Sequence, residues 1–236
     1  MTGHGSRERQ RNRILQRLSI DDWRLLQPHF TPIDLPLRKH LEMPHKRIEH
    51  VYFIDAGFAS VVANGSGERG VEVGLIGREG VTGLAVLMGT DRSPHATFMQ
   101  NAGAGMRIAA SVLGHAMEQS ASLRRTLLNY GHAFTVQMGQ TALANGRSRI
   151  EQRLARWLCM AHDRIDGDDL HLTHEFIAIM LGVQRPGVTL TLDVLEKAGH
   201  VVTKRGVIKI IDRKGLEKST HGIYGAPEAE FQRLFG

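Results

Sequence analysis

The sequence predicts an α+β protein, with a strand-rich N-terminal half and helices behind it. Three observations carry this. Residues 30–109 hold short apolar, β-branched runs separated by glycine. Residues 123–143 place apolar side chains at helical spacing. Residues 172–211 read as two short helices with a glycine between them, followed by two β-branched runs.

The N-terminal stretch, Met1 to Arg17, is basic and polar without an apolar core, so it does not read as a secretory signal. Residues 7–27 read as a helix or two. Ile14, Leu15 and Leu18 recur at helical spacing. Ser19 then caps a second short helix, with Asp21 and Asp22 in its first turn and Trp23, Leu25 and Leu26 behind them.

The strands follow. Val51–Ile54 is ended by Asp55-Ala56-Gly57, and Ala59–Ala63 by Asn64-Gly65-Ser66-Gly67; Val71–Ile76 comes next. Many short strands with glycine punctuation predict a β-barrel or sandwich.

From residue 110 the pattern turns helical. Ser111–Met117 reads as a short helix and Leu123–Leu143 as a longer one. In the longer helix Leu127, Tyr130, Phe134 and Met138 are spaced 3, 4 and 4, a narrow apolar stripe. We read it as a coiled-coil seam between two chains; a single amphipathic helix lying on the barrel has the same pattern. Gly131 and Gly139 weaken the helix by about 1 kcal/mol each relative to alanine and permit close helix approach. Asn145-Gly146 reads as a hinge. Ser148 then caps a helix to about His162, with Ile150, Leu154, Trp157, Leu158 and Ala161 on its apolar face. Asp166-Gly167-Asp168-Asp169 reads as a turn.

The segment Leu172–Glu196 carries most of the functional information. Thr173 is a good N-cap, and Ile177, Ala178 and Leu181 form an inward face. Gly182 follows where a left-handed residue turns the chain, and Val183 plugs the corner. A second helix runs from about Arg185 to Lys197, with Val188, Leu192 and Leu195 inward. These are the requirements of a helix-turn-helix. Val201–Ile211 then forms two β-branched runs around Lys204-Arg205-Gly206, a hairpin with a basic tip. A hairpin directly after the second helix makes the motif winged, and a basic tip suits phosphate.

Charge agrees. The chain carries a formal net charge of +6. Arg185 to Lys218 contains eight Lys or Arg against four acids, so +4 of that excess sits in one short stretch. Duplex DNA is therefore the expected partner.

Other chemistry finds little support. The single cysteine, Cys159, excludes a disulfide within the chain, a cysteine-ligated cluster and a four-cysteine zinc site; its apolar neighbours make it a small buried hydrophobe. His40, His45 and His50 are spaced by five, which fits no helical ligand pair, so no metal is expected. Ala178 breaks the metalloprotease pattern that would begin at His174-Glu175. No Walker loop or nucleophile elbow is present, so the chain is not read as an enzyme. No run of 18 apolar residues suggests a membrane span.

The sensor-like stretch Val71–Gly80, the long helix and the Leu172–Glu196 segment together resemble the Crp/Fnr family of bacterial regulators. The resemblance covers nearly the whole chain. It implies a jelly-roll β-barrel of the cyclic-nucleotide-binding kind with N-terminal helices over 1–109. A short helix and a dimerisation helix would occupy 110–146, a winged helix-turn-helix 147–221 and a C-terminal tail 222–236. It also implies a cytoplasmic homodimer that binds double-stranded DNA and regulates transcription, with RNA polymerase a candidate further partner. The implied DNA-binding residues are Thr173, Gln184, Arg185, Gly187, Thr189, Leu190, Lys204 and Arg205; the implied dimer residues are Leu127, Tyr130, Phe134 and Met138.

Departures from the family pattern bear on specificity. Cyclic-nucleotide binders carry an acid that holds the ribose and an arginine that neutralises the phosphate. Here Leu84 follows Gly83 where the acid belongs, and Pro94 stands at the arginine position when Ala96 is aligned. Arg92-Ser93 replaces it only by a shifted register. The chain is thus expected to have lost most affinity for a cyclic nucleotide, and no cofactor is assigned. In the second helix Arg185 matches the family, but Pro186 and Leu190 replace an acid and a second arginine, so the DNA sequence read must differ. The rival reading is a small-molecule-binding sensory module acting through protein contacts. Salt-dependent binding to duplex DNA separates the two.

Overall fold

The structure is a computed structural model that describes residues 10–63 and 70–236. The sequence readings for residues 7–9 and for the Asn64–Gly67 turn lie outside the described residues. Two short helices open it. Helix α1 (Arg13–Arg17) is capped by Asn12, whose side chain accepts from the Ile14 and Leu15 amides and donates to the carbonyls of Ile54 and Gly80 at 2.9 and 2.7 Å. Helix α2 (Ile20–Leu26) starts at Ser19, whose Oγ accepts from the Asp22 amide at 3.0 Å.

Strands β1 (Thr31–Leu35), β2 (His40–Glu42), β3 (His50–Ala63), β4 (Val71–Ile76) and β5 (Ala96–Ala109) make one antiparallel sheet. Its order is β1-β5-β3-β4, with β2 also paired to β5. The sheet is of the jelly-roll kind, with Phe53, Ile54, Ile76 and Met99 in its core. Asp55-Ala56-Gly57 does not end a strand; β3 runs through it with register shifts against β5 on both sides of Ala56. Gly57 has φ +73°, and a Cβ there would lie 2.6 Å from the carbonyl oxygens of Asn101 and Ala102. The glycine makes a bulge, which bends the strand without interrupting it.

Short helix α3 (Leu84–Leu87) links β4 to β5, and α4 (Ala110–Gln119) and α5 (Ala121–Arg147) follow. Helix α5 continues through Asn145-Gly146, where the sequence suggested a break between elements. Glycine lowers helix propensity but its helical φ/ψ is allowed. The break comes at Ser148, whose amide still donates to Ala144 O at 3.0 Å. Arg149, not Ser148, is the N-cap of α6 (Ile150–His162), and its amide is bonded by Gln152 Oε1 at 2.9 Å.

The apolar stripe on α5 faces its own chain rather than a second one. Leu127, Tyr130 and Phe134 are at most 2% exposed and belong to the core of their own chain. Met138 is half-buried against that core. Gly74 of β4 lets Phe134 close in, since a Cβ there would meet the ring at 2.6 Å. Beside it Gln137 bonds β4 in both directions: its Oε1 accepts from Leu75 N at 2.6 Å and its Nε2 donates to Leu75 O at 3.1 Å. The helix therefore lies on the sheet. A stripe of period 3.5 is the same whether a sheet or a second helix covers it.

The C-terminal part comprises β6 (Asp169–Leu170), α7 (His174–Leu181), α8 (Arg185–Lys197), β7 (Val201–Lys204), β8 (Val207–Ile210), α9 (Arg213–Ser219) and α10 (Ala226–Phe235). Strands pair in the order β6-β8-β7. Leu154, Leu158, Ile177, Leu192 and Ile208 form its core, continuous with Phe58, Val62 and Leu75 of the large sheet. Phe98 of β5 and Phe176 of α7 meet edge to face, centroids 6.4 Å apart. Residues 222–236, expected as a tail, contain α10, which buries Phe231 and Phe235 in the first core and packs along α5.

Candidate nucleic-acid interface

Thr173 caps α7, its Oγ1 accepting from the Phe176 amide at 3.2 Å. The helix ends at Gly182, φ 62° and ψ 38°, the left-handed conformation the turn needs. Arg153 of α6 braces that end: it donates to the Leu181 carbonyl and, through Nε, to Asn145 of α5 at 3.0 Å. Helix α8 opens at Gln184 with Pro186 in its first turn, where a missing N–H leaves no bond unmade. Val188, Leu192 and Leu195 are at most 2% exposed, so the opposite face looks outward.

That outward face holds Arg185, Pro186, Leu190, Asp193, Val194 and Lys197, all exposed. Gln184 is exposed too, as is the cap Thr173. Gly187 is not open: a Cβ there would meet Ile150 Cδ1 at 3.2 Å, so it serves packing on α6. Thr189 is half-buried; its hydroxyl lies 3.0 Å from His174 Nδ1 and 3.3 Å from the Arg185 carbonyl. The helix pair thus already engages the Thr189 hydroxyl.

The wing is β7 and β8 with Arg205-Gly206 at its turn, Lys204 facing Val207 and Gly206 at φ 75°. Lys204 and Arg205 are exposed. Glu196 of α8 ties the wing to the reading helix, accepting from Thr203 N at 2.9 Å and Thr203 Oγ1 at 2.7 Å. Those two bonds hold its carboxyl below the usual range, so its charge is engaged by the wing rather than pointed at a ligand.

Arg213, counted in the basic excess, is not part of this surface. It pairs with Asp163 and Glu217 at 2.8 Å each and donates to Cys159 O at 2.7 Å. Cys159 itself is buried, and desolvation pushes its thiol up to about 12. Val194 and Lys197 complete the outward face; the sequence named neither as a DNA-binding residue, though Lys197 counts in the basic excess. Their signal was helical spacing from Leu190 and Arg185.

A cavity of 280 Å³ opens between the large sheet, α3 and α5, with Leu84, Arg92, Pro94 and Glu42 in its wall. Its wall is largely apolar. Arg92 is mostly exposed, with Asp91 3.6 Å away. The buried ionisable side chain is Glu42, which accepts from the Gly83 amide at 2.8 Å. Desolvation raises its carboxyl despite that bond. Leu84 and Pro94 bring no charged group to this wall, so neither the ribose acid nor the phosphate arginine of the family pattern is met at those positions.

Residues 152–219 match the model of the Crp-like helix-turn-helix domain. No curated protein matches the sequence. Solved structures match in fold. A Crp/Fnr transcriptional regulator from Eubacterium rectale superposes with a TM-score of 0.70 at 16% identity, covering 89% of this chain and 98% of that one. FixK2 from Bradyrhizobium japonicum gives 0.69 at 18% identity, covering 84% and 98%. The global regulator CLP of Xanthomonas campestris, described as c-di-GMP responsive, gives 0.65 at 14% identity, covering 81% and 99%. The chain therefore carries a Crp-like helix-turn-helix domain within the fold of Crp/Fnr transcriptional regulators.

Proposed function

We propose that this protein is a dimeric, sequence-specific DNA-binding transcription regulator of the Crp/Fnr type whose sensor cavity is not built for a cyclic nucleotide. One observation carries it. An outward helix face begins with Arg185 and stands beside a wing tipped by Lys204 and Arg205, both on the domain that matches the Crp-like model. In this reading Arg185 pairs with a guanine edge and the wing meets phosphate.

Dimerisation fits the outward face of α5, shifted from the sequence-read stripe. Leu128 and Leu143 are 44% and 45% exposed there, with Thr135, Gly139 and Ala142 between them. Two copies joined along α5 would place two reading helices on successive turns of a near-palindromic site. A cytoplasmic location follows from the function, and among the described residues no helix is long and apolar enough to cross a membrane. RNA polymerase is the further partner such a regulator would meet.

The test is fluorescence anisotropy of the full chain on labelled duplex DNA over a range of salt. A steep loss of affinity with salt supports the reading, because bound Lys and Arg displace condensed counterions. Salt-independent or absent binding would favour a sensory module acting through protein contacts.

A further inference from the structure

A strip along the outward face of α8 is apolar where a reading helix usually carries hydrogen-bonding groups. Leu190 is 67% exposed and Val194 52% exposed. Pro186, Leu190 and Val194 lie at i, i+4 and i+8, one continuous strip. The core of the domain does not use them, since Val188, Leu192 and Leu195 fill the opposite face. Thr189 adds no free hydroxyl, being engaged with His174 and the Arg185 carbonyl.

We propose that the Leu190–Val194 strip reads thymine methyl groups, so that each half-site holds two thymines near a guanine met by Arg185. This rests on the DNA-binding reading above. In the major groove the thymine C5-methyl is the apolar group among base edges that otherwise present donors and acceptors. Leucine and valine side chains neither donate nor accept, so apolar contact is the recognition open to them. Four residues of helix rise about 6 Å, close to two base steps of about 3.4 Å each. The two methyls therefore lie about two steps apart.

Charge points to DNA rather than an apolar protein partner. The strip is framed by Arg185 and Lys197 on its own helix and by Lys204 and Arg205 on the wing, all exposed. Asp193, also exposed, flanks the strip.

The experiment uses the full chain and a duplex selected by it from a random pool. Each thymine is replaced in turn by deoxyuridine, which removes the methyl and nothing else. At two positions per half-site, affinity should fall about fourfold each, the worth of one buried methyl at ~0.8 kcal/mol. Leu190→Ala with Val194→Ala alters exposed positions and should leave the fold intact by circular dichroism. That variant should bind thymine and deoxyuridine duplexes equally, with an unchanged salt slope. Equal affinity of the parent protein for both duplexes overturns the proposal, and so does a methyl preference that survives in the double variant. Failure to enrich any duplex would instead overturn the DNA-binding reading on which it stands.

Discussion

Trp157 of α6 donates its indole N–H to Glu72 Oε1 of β4 at 2.7 Å, joining the helix-turn-helix domain to the large sheet through one buried bond. Glu72 Oε2 lies 2.6 Å from Ser60 Oγ, which is also 2.9 Å from Gln100 Oε1. Ser60 donates to Glu72, and burial pushes the Glu72 carboxyl up to about 7.

Glu72 should therefore make stability depend on pH. Its folded pKa, about 7, is above the ordinary 4.5, so between those values the native state holds a proton that the unfolded state releases. Stability from this group falls as pH rises through that window and then levels. Glu72→Gln keeps an acceptor for Trp157 and a donor for Ser60 without the charge. Urea unfolding should show the variant gaining on the parent from pH 4.5 upward, by on the order of 3 kcal/mol above pH 7. A difference that does not change with pH would refute the assignment.

The two faces of α5 should separate by mutation. Phe134→Ala empties a core site and should cost about 3–5 kcal/mol of chain stability. Leu128→Glu alters an exposed position, so the fold should survive while the dimer is lost. Light scattering beside thermal unfolding checks both. A stable dimer of Leu128→Glu would move the interface elsewhere.

Cyclic AMP should not occupy the sensor cavity. Calorimetric titration should give no saturable heat at micromolar concentrations. A low-micromolar dissociation constant, about −8 kcal/mol, would contradict the role given to Leu84 and Pro94.

Reading and anchoring should also separate. Arg185→Ala should relax preference at one base pair per half-site, a discrimination of roughly 1–3 kcal/mol. Lys204→Ala with Arg205→Ala should weaken binding to all sequences alike and flatten the salt dependence. A panel of single-base operator variants at two salt concentrations distinguishes them. Uniform loss with Arg185→Ala would make that residue an anchor.

The Leu172–Glu196 segment was legible because its determinants are local. A cap at Thr173, a left-handed residue at Gly182 and the spacing of Val188, Leu192 and Leu195 each act within one or two turns. What escaped depends on distant chain. Arg213 looked like a free surface cation, yet Asp163 and Tyr224 claim it. Nothing near Phe231 announces that it joins the core that holds Leu127, more than a hundred positions earlier, nor that Arg13 lies over its ring at 4.7 Å. The Asp55–Gly57 bulge failed for another reason: glycine marks a turn and a bulge with the same backbone freedom, and the partner strand decides between them.

The two bonds from Gln137 to Leu75 have a consequence for the behaviour of the chain in concentrated solution. β4 is the outermost strand on its side of the sheet, and an open strand edge is a template for pairing with another molecule. The Gln137 amide occupies that edge as a neighbouring peptide would, and α5 lies along it as a cover. Loosening α5 would thus release a sticky rim. Variants such as Phe134→Glu should precipitate as strand-paired aggregates rather than yield well-behaved monomers. The helix that presents Leu128 outward is also the guard that keeps the sheet from recruiting its neighbours.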